Sequence, residues 1–365
     1  MKIKKRNLLL IAVIVFALYF TTWPVDIKPV SWNAPENKGY VGAFEENQRL
    51  KGIEKFPLNG LHGPEDIALD SKGRIYAPTH EGIIVRLEAN GMDPKEWANT
   101  GGRPLGIDFD NDGNLIVADA MKGLLSISPE ATLTVLADIA DGIPILYADD
   151  VDVAKDGRIY FSDASTKFSA KASGDTMKAS LLDIMEHGGH GRLLRYDPVT
   201  QKTVTLLDGI NFANGIAVSH DQTYVLINET GSYRVLKYWI SGPKQGQSEP
   251  LIENLPGFPD NISTGQQNRF WIALISPRNK LLDDLSSKPF WRKVVRRLPA
   301  FVRPKPTIYG HIVAIDGNGN VLESLQDINT DYPQLTGVTE IDDYLYLGSL
   351  ITPQVGRISK QKAGL

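Results

Sequence analysis

The chain has 365 residues, a formal net charge of −4 and no cysteine. This charge provides no cationic field for a phosphate backbone, so we expect no nucleic-acid role. The missing thiols exclude disulfides, thiolate zinc sites and a cysteine nucleophile. The 33 glycines and 22 prolines are typical of a chain with many short strands and turns.

The N-terminus has the pattern of a membrane-targeting segment. Its first six residues carry four cations, namely Lys2, Lys4, Lys5 and Arg6. The apolar run that follows, residues 8–20, is 13 residues long. A comfortable span needs roughly 20, so a cleaved signal peptide is an alternative. No small-residue cleavage site follows, which favours a single-pass type II signal anchor in residues 1–23. The positive-inside rule then predicts that the rest lies on the non-cytoplasmic side, in a periplasm, a lumen or the extracellular space.

Residues 24–41 are rich in proline, asparagine and glycine and are predicted to be a linker. From residue 42 to residue 365 one pattern recurs: a turn, a short strand, a tight turn and a second apolar strand. The six copies begin at Pro64, Pro104, Ala148, Ala213, Pro259 and Thr336. Corresponding positions are 40, 44, 65, 46 and 76 residues apart. Such a period is typical of propeller blades, so we predict an all-β fold, a six-bladed β-propeller. A β-sandwich with coincidental turns is the alternative, and six matching registers argue against it.

Two intervals are long because they contain insertions, at about residues 167–191 and 276–309. The last repeat is short and ends near Ser359. Residues 43–58 precede the first repeat without a partner, so we expect them to supply the strand that completes the last blade. Such closure removes exposed sheet edges.

One residue at the head of each repeat should lie at the same depth around the central channel. We call these six residues the column: Glu65, Leu105, Asp149, Asn214, Asp260 and Thr336. Asn261 adds another oxygen donor beside Asp260. Three carboxylates on one narrow axis would repel each other unless a cation balances them. Carboxylate and amide oxygens are the ligands that Ca²⁺ prefers, whereas the alternative is that these residues only form turns.

Several stretches resemble the strictosidine synthase-like and adipocyte plasma membrane-associated protein family. This family belongs with the gluconolactonases, regucalcin and the paraoxonases to a calcium-dependent six-bladed propeller superfamily. The stretches include GRPLGI at 102–107, FANG at 212–215, GFPDNI at 257–262 and YLGS at 346–349, with further matches at 117–124 and 191–197. The resemblance implies a Ca²⁺ ion held by the matching positions, which are Glu65, Asp149, Asn214, Asp260 and Asn261.

Three positions depart from the family pattern. Asp149 stands where the family usually has asparagine. Leu105 stands where the paraoxonases carry a catalytic histidine. Thr336 aligns with the catalytic glutamate of true strictosidine synthases, and Glu340 lies in the strand that follows. We therefore do not expect strictosidine synthase activity.

With strictosidine synthase activity not expected, the predicted site favours a Ca²⁺-dependent hydrolase of lactones or aryl esters. The metal would polarise the carbonyl, and Asp260 or Asp149 would activate water. No G-x-S-x-G elbow is present, which disfavours a serine hydrolase. The alternative is a non-catalytic calcium-binding propeller that binds a ligand or a partner.

Two features of the insertions add hypotheses. His187 and His190 lie in a glycine-rich loop, either near the channel mouth or in a surface turn. Residues 288–298 predict a basic amphipathic helix, which would either contact the membrane surface or cap the propeller. A helix on lipid would suit small apolar ester or lactone substrates.

Overall fold

A computed structural model describes residues 5–365 and contains six four-stranded antiparallel sheets arranged in a ring. Neighbouring sheets meet through their first strands, which line the axis. The prediction of an all-β, six-bladed β-propeller is confirmed.

The strands of the blades follow the sequence from the axis outward. Blade 1 comprises Ala68–Leu69, Ile75–Pro78, Ile83–Leu87 and Lys95–Asn99; blade 2, Pro104–Phe109, Leu115–Asp119, Gly123–Ile127 and Leu133–Ala137; blade 3, Ala148–Val153, Ile159–Asp163, Gly191–Asp197 and Lys202–Ile210. Blade 4 comprises Ala213–Val218, Tyr224–Glu229, Arg234–Trp239 and Ser248–Ile252; blade 5, Gly257–Thr264, Arg269–Pro277, Gly310–Asp316 and Val321–Asp327; blade 6, Leu335–Ile341, Tyr344–Ser349, Gln354–Ser359 and Glu54–Pro57. A two-stranded ribbon, Ile139–Ala140 with Ile143–Pro144, lies between blades 2 and 3.

The ring is closed by a strand from the N-terminal side of the repeats. Glu54–Pro57 pairs antiparallel with Gln354–Ser359, with Phe56 opposite Val355. Both of these side chains are buried against blade 1. The predicted closure of the last blade by residues 43–58 is therefore confirmed, with the strand itself confined to four residues.

Alternation along the second strands explains their continuous apolar sequence. In Arg269–Pro277, Trp271 packs against Leu347 of blade 6. Its neighbour Ile272 packs against Leu226 of blade 4. Because successive side chains point to opposite faces and both faces are covered by another blade, neither face can be polar.

Carboxylates join the inner strands of blades 1 to 4; Asp150 is buried, and the others are half-buried. Asp66 accepts a hydrogen bond from the amide of Ile107 at 3.1 Å. Asp150 accepts one from the amide of Ile216 at 2.7 Å. Further along the inner strands, Asp108 and Asp152 accept equivalent hydrogen bonds from the amides of Val153 and Val218, respectively. Each of these carboxylates satisfies an amide of the following blade, so they hold the blades in register.

The two insertions form helices at one end of the ring. Blade 3 inserts α2 (Ala170–Ser173) and α3 (Thr176–Glu186), and blade 5 inserts α4 (Lys280–Asp284) and α5 (Pro289–Arg297). Each insertion leaves a second strand and returns at the start of a third strand, so both lie at the end where the inner strands begin. We call residues 164–190 and 278–309 the cap. A further short helix, Lys360–Ala363, ends the chain.

The cap is fastened by one buried arginine, Arg292 of α5. Its guanidinium donates to the carbonyl oxygens of Met185 at 3.0 Å and Ser286 at 3.0 Å, and also to that of Val30. The side chain therefore joins both insertions to residues 24–41. This predicted linker contains neither helix nor strand, and it lies against the cap, where Trp32 stacks on His187 at 3.9 Å.

The N-terminal helix α1, Lys5–Thr22, is exposed wherever its burial is described, except at Phe20, which is half-buried. Its 18 residues span about 27 Å, and it is long and apolar enough to cross a membrane. The helix extends beyond both ends of the 13-residue apolar run. It is therefore closer to the length of a membrane span than the apolar run alone indicates.

Removing one blade-joining carboxylate should destabilise the ring. We expect Asp150→Ala to lower the free energy of unfolding by about 1–3 kcal/mol, because the buried amide of Ile216 would lose its acceptor. Denaturant unfolding of the full chain in mild detergent measures this. Asp112→Ala, in the exposed turn of blade 2, is the matched control; equal stability of the two variants would contradict the role given to Asp150.

Candidate functional site

Five of the six column residues line one cavity on the propeller axis, and we call the part of the cavity that they form its floor. Glu65, Asp149, Asn214 and Asp260 line it together with Leu105. All five are buried from solvent. The alignment of repeats therefore identified residues from blades 1 to 5 that converge on one place.

The backbone at the head of the inner strands explains how neighbouring residues take different roles. In blades 2 to 6, the inner strand has one more residue than the second strand between two consecutive pairs. In blade 3, for example, Ala148 pairs with Asp163 and Val151 pairs with Phe161. Such a bulge breaks the simple alternation of side chains and re-aims them. Asp149 consequently lines the cavity, whereas Asp150 binds the backbone of blade 4.

Close packing of the inner strands depends on glycine in two of these bulges. A Cβ atom at Gly106 would lie 2.3 Å from the carboxylate of Asp150. One at Gly215 would lie 2.3 Å from the amide nitrogen of Ile262. Any larger residue would separate adjacent blades and with them the residues of the cavity floor.

Oxygens at the floor, and one of the adjacent Asn261, which does not line the cavity, are buried without hydrogen-bond partners. The unpaired atoms are Asp149 Oδ2, Asn214 Oδ1, Asp260 Oδ2 and Asn261 Oδ1. Buried polar atoms are normally paired, because leaving one unpaired costs free energy. Asn214 Nδ2 donates to Asp260 Oδ1 at 2.5 Å, which fixes the orientation of both side chains. Carboxylate and amide oxygens are the donors that a hard cation takes. Among residues 5–365, however, no three carboxylate or imidazole side chains lie close enough together to hold a metal ion by themselves.

The electrostatics of the floor favour a bound cation. Burial raises the pKa of Glu65, Asp149 and Asp260, and the charges of their neighbours raise the pKa of the two aspartates further. Arg103 Nη2 binds Glu65 Oε2 at 3.1 Å, and this ion pair is itself buried. One arginine offsets one carboxylate, so a bound cation would stabilise the other two in their charged form.

Three further residues at or beside the floor were missed in the sequence, and of these only Tyr147 lines the cavity. Arg103 stands one position before the first residue of its repeat. Tyr147 lines the cavity, and burial and the charge of Asp149 raise its pKa. Asn228 donates from Nδ2 to the backbone oxygen of Asp260 at 2.6 Å, and its own Oδ1 is unpaired. Asn228 lies on a second strand, where the repeat pattern shows only that the residue is buried.

The other singled-out residues have structural contacts instead. Thr336 donates its hydroxyl hydrogen to the backbone oxygen of Glu65 at 2.5 Å. Glu340 binds Trp271 Nε1 at 2.7 Å and Arg269 at 2.9 Å. Burial opposes its ionisation, but hydrogen bonds from Lys360 and Trp271 hold its pKa below the ordinary value.

The histidine loop lies away from the cavity lining. His190 Nε2 binds Glu186 Oε1 at 2.8 Å, and the same carboxylate accepts the amide of Lys28. His187 stacks on Trp32 as described above, and burial together with the charge of Arg292 lowers its pKa to about 3. The structure supports neither expected role: His187 is buried, neither histidine lines the cavity, and the loop instead fixes the linker.

The cavity above the floor has a volume of about 360 Å³ and apolar walls. The cap supplies most of them, and Phe212 and Phe258 of the propeller complete them. The apolar cap residues are Leu181, Leu182, Ile184, Met185, Leu281, Leu282, Leu285 and Val295. Cationic residues also contribute to the lining, namely Lys178, Arg292, Arg296, Arg303 and Lys305. The site thus combines a polar floor with a chamber for an apolar molecule.

The chain is similar in sequence to known proteins. Residues 149–243 match the family described as strictosidine synthase, and residues 42–87 match the N-terminal family of strictosidine synthase-like proteins. The chain is 34% identical over 340 residues to Protein STRICTOSIDINE SYNTHASE-LIKE 13 of Arabidopsis thaliana, with 83% of this chain and 82% of that protein covered. It is 32% identical over 363 residues to the adipocyte plasma membrane-associated protein of Rattus norvegicus, with 93% of each covered.

Solved structures show the same fold. A gluconolactonase from Xanthomonas campestris has a TM-score of 0.60 at 13% identity, over 85% of this chain and 90% of that one. A regucalcin from Agrobacterium tumefaciens, described as calcium-binding, has a TM-score of 0.56 at 15% identity, over 81% and 85%. These identities carry the fold alone. The similarity to the two curated relatives extends over most of their length and confirms the resemblance seen in the sequence: the chain belongs to the strictosidine synthase-like family.

Proposed function

We propose that the chain is a Ca²⁺-dependent hydrolase of lactones or aryl esters. The observation that carries this proposal is the set of unpaired carboxylate and amide oxygens at the floor of an apolar cavity. A purely structural ion needs no adjoining chamber, whereas a catalytic ion keeps positions open towards one.

The proposed ligands of the ion are Glu65, Asp149, Asn214, Asp260 and Asn261. Ca²⁺ takes six to eight oxygen ligands in flexible geometry, so these side chains leave room for water or substrate. Support comes from the donor chemistry, which includes no thiolate or imidazole, and from the likeness in fold to a regucalcin described as calcium-binding.

In the proposed reaction the ion, when bound, supplies Lewis-acid polarisation of an ester carbonyl. The cap walls hold the apolar part of the substrate and exclude bulk water. Asp260 Oδ2 or Asp149 Oδ2 accepts a proton from the attacking water as its oxygen bonds to the carbonyl carbon. The bond to the leaving oxygen then breaks, and the proton passes to that oxygen to give an acid and an alcohol. For a lactone both groups stay in one product.

A specific observation favours a second candidate, a non-catalytic calcium-binding propeller that holds a ligand or a partner. The histidine expected by analogy with the paraoxonases is replaced by Leu105 on the cavity floor. All six histidines of the chain are described, and none lines the cavity. Thr336 is engaged with the backbone of Glu65, which further disfavours strictosidine synthase activity.

We also propose that the propeller lies on the non-cytoplasmic side of a membrane, anchored by the N-terminal helix. The cations of the first six residues support this orientation through the positive-inside rule. The name of the relative from Rattus norvegicus, a plasma membrane-associated protein, agrees with membrane attachment.

Calcium should stabilise the fold. At a concentration about 100 times the dissociation constant, we expect it to raise the free energy of unfolding by about 2.7 kcal/mol. Thermal unfolding of the full chain in detergent, with calcium or with a chelator, measures this. Asn214→Ala and Asp260→Ala should abolish the shift, and Asp112→Ala should retain it. A shift that persists in both site variants would place the ion elsewhere.

Hydrolysis should depend on the same site. We expect the full chain to hydrolyse phenyl acetate or a member of a lactone panel, with kcat/KM reduced about 100-fold or more by chelator and by Asp260→Asn, because that variant removes a proton acceptor and a charged ligand. Asp112→Ala should match the unaltered chain. Calcium-dependent stabilisation without turnover of any substrate would reject the hydrolase and favour the non-catalytic alternative.

A further inference from the structure

Helix α5 exposes aromatic side chains and buries two arginines, the opposite of what is expected of a helix on the surface of a soluble protein. Phe290 and Trp291 are 48% and 53% exposed, whereas Arg292 is 1% exposed and Arg297 is also buried. The two rings pack edge to face at 5.5 Å on the outer side of the helix. A solvated helix turns its charges outward. This helix uses two of its charges inside and presents aromatic rings to its surroundings.

The exposed apolar surface continues beyond the helix. Phe301 is 83% exposed, and Val302 and Ile308 are exposed as well. We call α5 together with residues 298–308 the apron. An exposed apolar surface of this kind marks an interaction site.

The charge of this region indicates the kind of surface it meets. Residues 285–308 contain seven cationic side chains and no carboxylate. Arg292 and Arg297 are buried and Arg296 pairs with Asp26, which leaves four cations for the surface, namely Lys288, Lys293, Arg303 and Lys305. Lys293 stands between the exposed rings and the cavity-lining Val295, and Arg303 and Lys305 follow the exposed Phe301. Aromatic and apolar side chains combined with cations suit the headgroup region of a bilayer that contains anionic lipid.

The apron is held to the end of the N-terminal helix. Arg297 donates from Nε to the carbonyl of Trp23 at 2.7 Å and from Nη1 to that of Phe20 at 2.9 Å. Tyr19 donates its hydroxyl hydrogen to the carbonyl of Arg297 at 3.2 Å, and Arg296 pairs with Asp26 at 2.6 Å. These contacts fix the apron beside the last turn of α1.

This attachment sets the position of the apron relative to a bilayer. A helix of about 27 Å nearly equals the roughly 30 Å hydrocarbon thickness, so its last turn would lie at the interface. Tyrosine and tryptophan prefer that depth, as Tyr19 and Trp23 would have here. The apron, bound to the same turn, would lie at the interface too.

The apron forms part of the cavity lining. Val295 and Arg296 of α5 line it, as do residues 303–307. We propose that the apron rests on an anionic lipid surface and that the cavity mouth faces the bilayer, so its ligands are amphiphiles that enter from the membrane. That the ligands are esters rests on the proposed function; the seating on lipid does not.

The seating can be measured directly because the chain has no native cysteine. A fluorophore is attached to Trp291→Cys or Phe301→Cys in the full chain, reconstituted in vesicles of phosphatidylcholine and phosphatidylglycerol. Val199→Cys is the control, since Val199 is 91% exposed in a turn at the end of the ring opposite the cap. We expect lipid-borne nitroxides to quench the two apron labels and an aqueous quencher to reach only the control.

Two results would overturn the seating. Aqueous quenching of the apron labels would show that the surface is in water. Protection from both quenchers would show that a protein covers it instead. Pure phosphatidylcholine vesicles should give weaker lipid quenching at the apron, and equal quenching in both compositions would remove the requirement for anionic lipid.

Entry from the bilayer is tested with a variant outside the cavity lining. Trp291→Asp combined with Phe301→Asp should slow hydrolysis of a long-chain ester dissolved in the vesicles and leave that of phenyl acetate unchanged. Equal slowing of both would contradict entry from lipid. Absence of hydrolysis by the unaltered chain would reject the proposed function, and the quenching experiment would still decide the seating.

Discussion

Buried carboxylates at the heads of the inner strands are the constraint on which this structure depends. A carboxylate taken out of water must be compensated by hydrogen bonds or by a cation. Asp150 is compensated by an amide of the next blade. Asp149, one residue earlier, has an oxygen without a partner. The same bulge therefore provides one residue that joins blades and one that is left for a ligand.

The same two roles, joining blades and facing the cavity, are divided between neighbouring residues in blade 1. Asp66 binds the backbone of blade 2, whereas its neighbour Glu65 faces the cavity beside Arg103. Because the joining residues fix the spacing of the inner strands, they also fix the distances between the floor residues. A substitution that loosens the ring would therefore be expected to disturb the site without touching it.

The cap determines which molecules can reach the floor of the cavity. Its helices surround the floor with apolar side chains, and Arg292 binds both insertions and the linker together. The linker in turn continues from the N-terminal helix, whose last turn is held by Arg297. Anchor, cap and cavity are thus connected by two buried arginines, which makes the position of the mouth relative to the anchor a property of the fold.

The periodicity of the sequence determined the propeller, because each blade must bury both faces of its second strand and repeats the same turn chemistry to do so. It also determined which residues head the inner strands, so the column from Glu65 to Thr336 could be aligned without coordinates. Since a repeat puts corresponding residues at one depth, five of these six line one cavity.

Only the tertiary structure decided the rest, because it depends on contacts between segments far apart in the chain. Asn228 reaches Asp260 from a second strand, and nothing in its local pattern indicates this. The bulges that separate the roles of Asp149 and Asp150 arise from pairing with the neighbouring strand. The periodicity of residues 288–298 predicted an amphipathic helix, but the burial of Arg292 and Arg297 depends on carbonyl groups supplied by other segments. The sequence left membrane contact and capping of the propeller open, and this packing is what exposes the aromatic residues of α5.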